Sequence, residues 1–194
     1  MDVKFIFALL AFATITAAII PYILDTLSGK TKPHIYTWLI WFFTGGIATA
    51  AYAHGDGGYP AITSAIGTGY CLIVFLLSFK YGTRNITVSD TIALVVAGVA
   101  IFLWVGLNHP LASAVLGISI DLVGYWPTIR KTFAEPWSES LASWALWTLT
   151  PIFSISALSS YNIFTLISPA PILFVNAVFI TFMIIRRRSL PKPA

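Results

Sequence analysis

"IIPYILDTLSGKTKPHIYTWLIW" (Ile19–Trp41) and "GYWPTIRKTFAEPWSESLASWALW" (Gly124–Trp147) carry one pattern twice. Laid over each other without a gap at an offset of 106 residues, they match at Pro21/Pro127, Ile23/Ile129, Thr26/Thr132, Trp38/Trp144, Trp41/Trp147 and Thr44/Thr150. A proline, a short charged loop and two tryptophans three apart, all in one frame, mark an internal repeat. That repeat decides how the rest of the chain is organised.

Only 9% of the 194 residues are charged, 58% are apolar and the mean hydropathy is +0.86. A water-soluble globule with this composition lacks the polar surface to cover itself, so the chain belongs in a bilayer. Apolar stretches of about 18 to 23 residues, the length one helix needs to cross ~30 Å of hydrocarbon, fall at 3–24, 34–53, 60–79, 90–107, 109–128, 140–158 and 163–185. Residues 1–24 also fit a secretory signal, since Lys4 precedes an apolar run with Ala17 and Ala18 near its end. The first repeat copy uses Pro21 as the second uses Pro127, which favours a retained helix and seven spans.

Ten of the eleven cations (Lys30, Lys32, Lys80, Arg84, Arg130, Lys131, Arg186, Arg187, Arg188 and Lys192) lie in loops one, three and five and in the tail, and Lys4 alone lies on the other side. The positive-inside rule then puts the N-terminus outside and the C-terminus in the cytoplasm, in a cell (inner) membrane. The net charge of +4 follows from these loops and implies no nucleic-acid partner. The single Cys71 leaves no disulfide framework and no metal cluster, and the sequon Asn85-Ile86-Thr87 falls on the cytoplasmic side, where it goes unused.

The offset carries spans one to three onto spans five to seven and leaves span four unmatched. Three helices reverse direction across a membrane, and one extra crossing restores it, so the triplets come out parallel. The expected fold is an all-α membrane protein of seven transmembrane helices: two parallel three-helix bundles (1–84 and 109–194, the latter with a basic tail) joined by a linker helix (85–108). Parallel repeats about an axis along the membrane normal are a transporter plan whose site lies near the midplane.

With this 3-1-3 order, an N-terminus outside and a proline near the cytoplasmic end of the first helix of each triplet, the chain resembles the SWEET and PQ-loop superfamily. The resemblance extends over nearly the whole chain and takes in the vitamin-precursor carriers of the PnuC kind. Its dipeptides are Pro21-Tyr22 and Pro127-Thr128 where the family has Pro-Gln. The resemblance implies a hinge and inner gate at Pro21 and Pro127. It also implies a substrate-facing amide at mid-depth in the third helix of a triplet, which Asn176 matches and its repeat mate Tyr70 does not.

Read from the residues themselves, Pro21 and Pro127 each remove one amide hydrogen and crowd the carbonyl four residues back, on Ala17 and Val123, so each weakens its helix about one turn from the cytoplasm. Proline is also commoner in membrane helices generally. Pro151, Pro169 and Pro171 have no repeat mates and make the second triplet the more mobile candidate. Asp121 is the acid placed well inside a span, about ten residues from either end. A carboxylate there must face the bundle interior with a partner or be protonated. It reads as a proton-linked switch or substrate anchor, or as an acid held by a Trp, Tyr or Thr.

Asn176 offers both donor and acceptor, which suits hydroxyls or heterocycle edges, although helix-helix bonding is an equally ordinary task for such a residue. Because i and i+3 share a helical face, Trp38 with Trp41 and Trp144 with Trp147 form two-ring walls on either side of a central path, unless they serve as interface anchors. Trp104 and Trp126 read as interface residues, as do His34, His54 and His109, which fall at span ends on different sides. Gly67, Gly69, Ser113 and Gly117 let helices approach closely.

The function expected from all this is a small-solute carrier for a sugar, vitamin precursor or amino acid, working by alternating access and proton-linked if Asp121 titrates. Its partners are the solute and the lipid bilayer; no cofactor or metal is called for, and a homo-oligomer stays open. The alternative is a receptor or sorting protein on the same fold, which binds without transporting. An enzyme lacks a Ser-His-Asp set or paired mid-depth carboxylates, and a retinal pump lacks a lysine in span seven.

Overall fold

A computed structural model describes residues 2–105 and 109–190; Lys192 and the side chain of Trp104 lie outside the described residues. The chain is all-helical: α1 Val3–Leu27, α2 Ile35–His54, α3 Tyr59–Tyr81, α4 Val88–Val105, α5 Pro110–Ala134, α6 Leu141–Ser156, a single turn α7 Ile163–Leu166, and α8 Pro169–Ser189. Local chemistry sets these limits. Pro60, Pro110 and Pro169 stand in the first turns of α3, α5 and α8, where the missing amide hydrogen has no partner to lose. Gly29, at φ 75°, turns the chain out of α1 in the left-handed region. Asn162 caps α7 by accepting from the Phe164 and Thr165 amides.

By length and composition four helical segments can cross a membrane: Val3–Leu27, Tyr59–Tyr81, Leu111–Ala134 and Ile163–Ser189, with Val88–Leu103 and Leu141–Ser156 shorter but apolar. At ~1.5 Å per residue the 16 residues of α6 fall short of the hydrocarbon thickness on their own. The outward faces are apolar, with Leu24, Leu76, Phe79, Phe102, Phe174 and Ile185 all exposed. That inversion of the soluble pattern suits a lipid-facing surface.

The helix contacts follow the repeat. α1 packs on α6 and α2 on α5, the first helix of each triplet against the second of the other, while α2 packs on α3 and α6 on α8 within the triplets. α4 lies against α5 and α2. The loops gather on two faces. Lys32 N donates to Ser138 O (3.0 Å) and Thr83 N to Pro33 O (3.0 Å), which joins the three basic loops. On the opposite face Asn162 Nδ2 reaches Gly55 O (2.8 Å) and Lys4 Nζ reaches Ser159 O (3.3 Å).

Glycine permits two of the closest approaches. A Cβ on Gly117 of α5 would stand 2.5 Å from Ile47 Cγ2 of α2, and one on Gly67 of α3 would stand 2.8 Å from Ile15 Cδ1 of α1. Gly69 meets nothing within 4 Å, so the packing role expected for it is absent. Gly117→Val is expected to wedge α2 from α5 and lower thermal stability by about 1–3 kcal/mol, whereas Gly69→Ala leaves it unchanged or slightly raised; melting curves of the two purified variants check the contrast.

Candidate functional site

A cavity of about 230 Å³ lies where the two triplets meet. Along α5 its lining runs Ala114, Gly117, Ile118, Asp121, Tyr125, a helical stripe of three and four residue steps that gives the cavity one continuous wall. Trp38, Trp41, Trp144 and Trp147 line it, as do Tyr70, Asp121 and Asn176, so the seven residues singled out in the sequence meet in one place.

The tryptophans do not stand apart across a path. Trp38 contacts Trp147 (ring centroids 5.7 Å) and Trp41 contacts Trp144 (5.9 Å), in addition to the contacts within each pair (5.3 and 5.5 Å). Tyr22 lies 5.1 Å from both Trp38 and Trp147, and Tyr125 lies 4.8 Å from Trp41. These six rings form a continuous aromatic floor on the basic side of the cavity. Trp38 and Trp144 are 3% and 2% exposed, which rules out interface anchoring for them. Trp126 is half exposed on the outside of α5, as an interface residue would be.

Polar side chains tie the triplets together in repeat-equivalent pairs. Thr44 Oγ1 of α2 donates to Asp121 Oδ1 of α5, and its mate Thr150 of α6 pairs with Thr14 of α1 (3.1 Å). Asn176 Oδ1 accepts from Tyr125 OH (2.7 Å), and its mate Tyr70 bonds Thr16 (3.0 Å), so in each triplet the third helix is fastened to the first. Trp41 Nε1 donates to the backbone carbonyl of Asp121 (3.1 Å). Asp121 is therefore held by a threonine, and its Oδ2 makes no hydrogen bond among the described residues.

Below the floor a buried latch joins Glu139 to Lys131, which the sequence placed in a loop and the structure buries in the last turn of α5. Lys131, fully buried, donates to Lys32 O (2.7 Å), Ser138 O (3.5 Å) and Glu139 Oε1. Glu139 also accepts from Tyr22 OH (3.2 Å) and Trp144 Nε1 (2.9 Å). Tyr22 follows Pro21. Thr128, which follows Pro127, donates to Thr37 Oγ1 of α2 (3.0 Å). The residue after each proline thus bonds to the opposite triplet. Pro21 and Pro127 themselves sit inside α1 and α5, outside the cavity lining.

One expectation is corrected here. His34 is no interface residue: it is completely buried at the start of α2, its Nε2 3.3 Å from Asp90 Oδ2. Asp90 itself, in the first turn of α4, is a fully buried acid that the sequence did not single out, ion-paired with Arg130 (2.8 Å). Apolar windows hide such residues because a span-end acid buried by a partner resembles a loop residue.

Burial pushes the His34 imidazole down from 6.5 to about 4; Asp90 partly opposes this, and Lys131 and Arg130 add to it. The folded state therefore keeps His34 neutral, and its contribution is complete above pH 6.5 and is lost as pH falls from 6.5 towards 4. Each pH unit in that window is expected to cost up to about 1.4 kcal/mol. Melting temperatures near pH 7 and about pH 5 should converge in His34→Gln relative to wild type; an equal drop in both proteins would assign the acid sensitivity elsewhere.

No family model, no curated protein and no solved structure matches the chain. The site must be read from its own residues.

Proposed function

We propose that the chain is a small-solute carrier of the inner membrane that exposes its cavity to one side and then the other by rocking two parallel three-helix bundles, α1–α3 and α5–α8, with α4 as the linker. The observation that carries this reading is the cavity's position between the triplets, fastened by repeat-equivalent bonds at Thr44 and Thr150 and floored by the repeat-equivalent tryptophans. A site near the axis between parallel repeats is what alternating access requires. The contacts of α1 with α6 and of α2 with α5 are those that a twofold axis along the membrane normal generates. The resemblance to SWEET and PQ-loop carriers, with the N-terminus outside and the basic loops in the cytoplasm, agrees with it.

On this reading the floor and latch close the cytoplasmic path, and opening it separates Trp38 from Trp147 and Tyr22 from Glu139. Pro21 and Pro127, next to Tyr22 and Thr128, are the places where α1 and α5 bend to do so. Asp121 is the one acid in the cavity wall and the group through which a proton gradient would act.

Pro127→Ala is expected to slow solute exchange in proteoliposomes about three- to tenfold while leaving equilibrium binding intact. Unchanged flux in both Pro127→Ala and Pro21→Ala removes the hinge. The test of function itself is uptake of sugars, amino acids and vitamin precursors with and without an imposed proton gradient, Asp121→Asn beside wild type. Binding without flux selects the receptor alternative, and flux indifferent to the gradient makes the protein a passive facilitator.

A further inference from the structure

The cavity wall carries one charged side chain, Asp121, and among the described residues no Lys, Arg or His faces it. The nearest cations along α5, Arg130 and Lys131, are committed below the floor to Asp90 and Glu139. Asp121 spends one oxygen on Thr44 and leaves Oδ2 without a donor among the described residues. Beside it stand Trp41, which is bonded to the Asp121 carbonyl, and Tyr125, one turn along the same helix and 4.8 Å from Trp41 between ring centroids. The floor is completed by the other three indoles. A carboxylate oxygen free of protein donors, set among electron-rich rings, is selective for one sign of charge. Aromatic faces attract an ammonium group, the more so when water is excluded. An anion finds no positive partner here and meets Asp121 instead. Towards the opposite face the wall offers the hydroxyls of Thr63, Ser64, Thr68 and Ser154.

We infer that the cavity takes a compact organic cation, its ammonium-type group seated between Asp121 and the indole floor and a hydroxyl or amide tail directed towards the threonines and serines of α3 and α6. The inference names the substrate class of the proposed carrier and rests on that reading for its transport part; the binding part stands on the cavity alone. A cation held by Asp121 occupies the place that a proton would otherwise take, so solute and proton exclude each other at this carboxylate.

Three probes of one shape and different charge test it: choline, its uncharged carbon isostere dimethylbutanol, and the anion dimethylbutyrate. Each is titrated into purified full-length protein and followed by thermal shift and tryptophan fluorescence. Choline should bind at least about tenfold more tightly than dimethylbutanol, and dimethylbutyrate should not bind. Asp121→Asn should erase that preference and leave dimethylbutanol within about twofold of wild type. Asp121→Glu, which keeps the charge, should retain it. The wild-type comparison alone decides the matter if Asp121→Asn fails to fold. Equal binding of choline and dimethylbutanol, or choline binding unaffected in a folded Asp121→Asn, overturns the inference. Counterflow of labelled choline in proteoliposomes separates the two claims. Binding without counterflow leaves the cation site standing and removes the carrier, whereas counterflow of neutral solutes without preference for choline leaves the carrier and removes the cation site.

Discussion

Glu139→Ala is expected to lower stability by about 3–5 kcal/mol, the loss that follows when one partner of a buried ion pair is removed. The reason lies in what remains. Lys131 is fully buried and its ammonium spends its three hydrogens on Lys32 O, Ser138 O and Glu139. Without the carboxylate the charge has two carbonyls and no counterion, and Tyr22 OH and Trp144 Nε1 lose their acceptor as well. Lys131→Met alone should cost less, because Glu139 keeps Tyr22 and Trp144 as donors. Lys131→Met combined with Glu139→Leu should recover much of the loss, since an apolar pair of similar volume carries no desolvation penalty. Thermal melts of the three variants measure the cycle. A Glu139→Ala protein within about 0.5 kcal/mol of wild type would mean that the latch is ornamental and that the floor alone closes this face.

The latch also marks the boundary between what could be read in the sequence and what could not. Helix order was legible because apolar runs and loop charges alternate, and the cavity residues were legible because the repeat flagged Trp38, Trp41, Trp144 and Trp147 in register. Tyr125 could have been found too: it lies four residues after Asp121 and so shares its face. Lys131 and Glu139 could not. They sit on opposite sides of a helix end, eight residues apart, with no period to connect them, and their repeat mates are Asp25 and Pro33. Length and hydropathy diverge in α2 for a related reason. α2, 20 residues long, falls outside the segments apolar enough to cross by composition because Thr37, Trp38, Trp41, Thr44 and Tyr52 face its neighbours and the cavity. A helix enclosed by α3, α4 and α5 has no need to be apolar all round.

Where the two halves differ, the second holds the chemistry. Asp121 stands where the first half, at the matching offset, has Ile15; Asn176 answers Tyr70; and the carboxylate against an indole belongs to Trp144 and not to Trp38. Two ligand-free halves of equal polarity would give a pore lining with no preferred end. The acid, the amide and the Lys131–Glu139 pair all stand on the second triplet, so on the proposed carrier reading that half would hold the solute while the other moves past it.

That asymmetry makes unequal outcomes expected at the two equivalent tryptophans. Trp144 packs against Phe179 (4.5 Å between centroids), Trp41, Trp147 and Tyr125, and its Nε1 donates to Glu139 Oε2 at 2.9 Å. Trp38 has comparable ring contacts with Tyr22, Trp41 and Trp147 but donates to no carboxylate among the described residues. Truncation to alanine removes the ring in either case and should cost about 3–5 kcal/mol, because floor and core lose the same volume. Phenylalanine separates the two. Trp38→Phe keeps most of the packing and should cost under about 1.5 kcal/mol. Trp144→Phe additionally takes a charge-assisted bond from a buried carboxylate and should cost about 1.5–3 kcal/mol more. Introducing Trp144→Phe into Glu139→Gln should shrink that excess to about 0.5–1.5 kcal/mol, since the acceptor is then neutral. Thermal melts in one detergent read all four values. Equal losses in Trp38→Phe and Trp144→Phe would show that the two halves close the floor by packing alone, and the latch would then have no hold on the ring that faces the cavity.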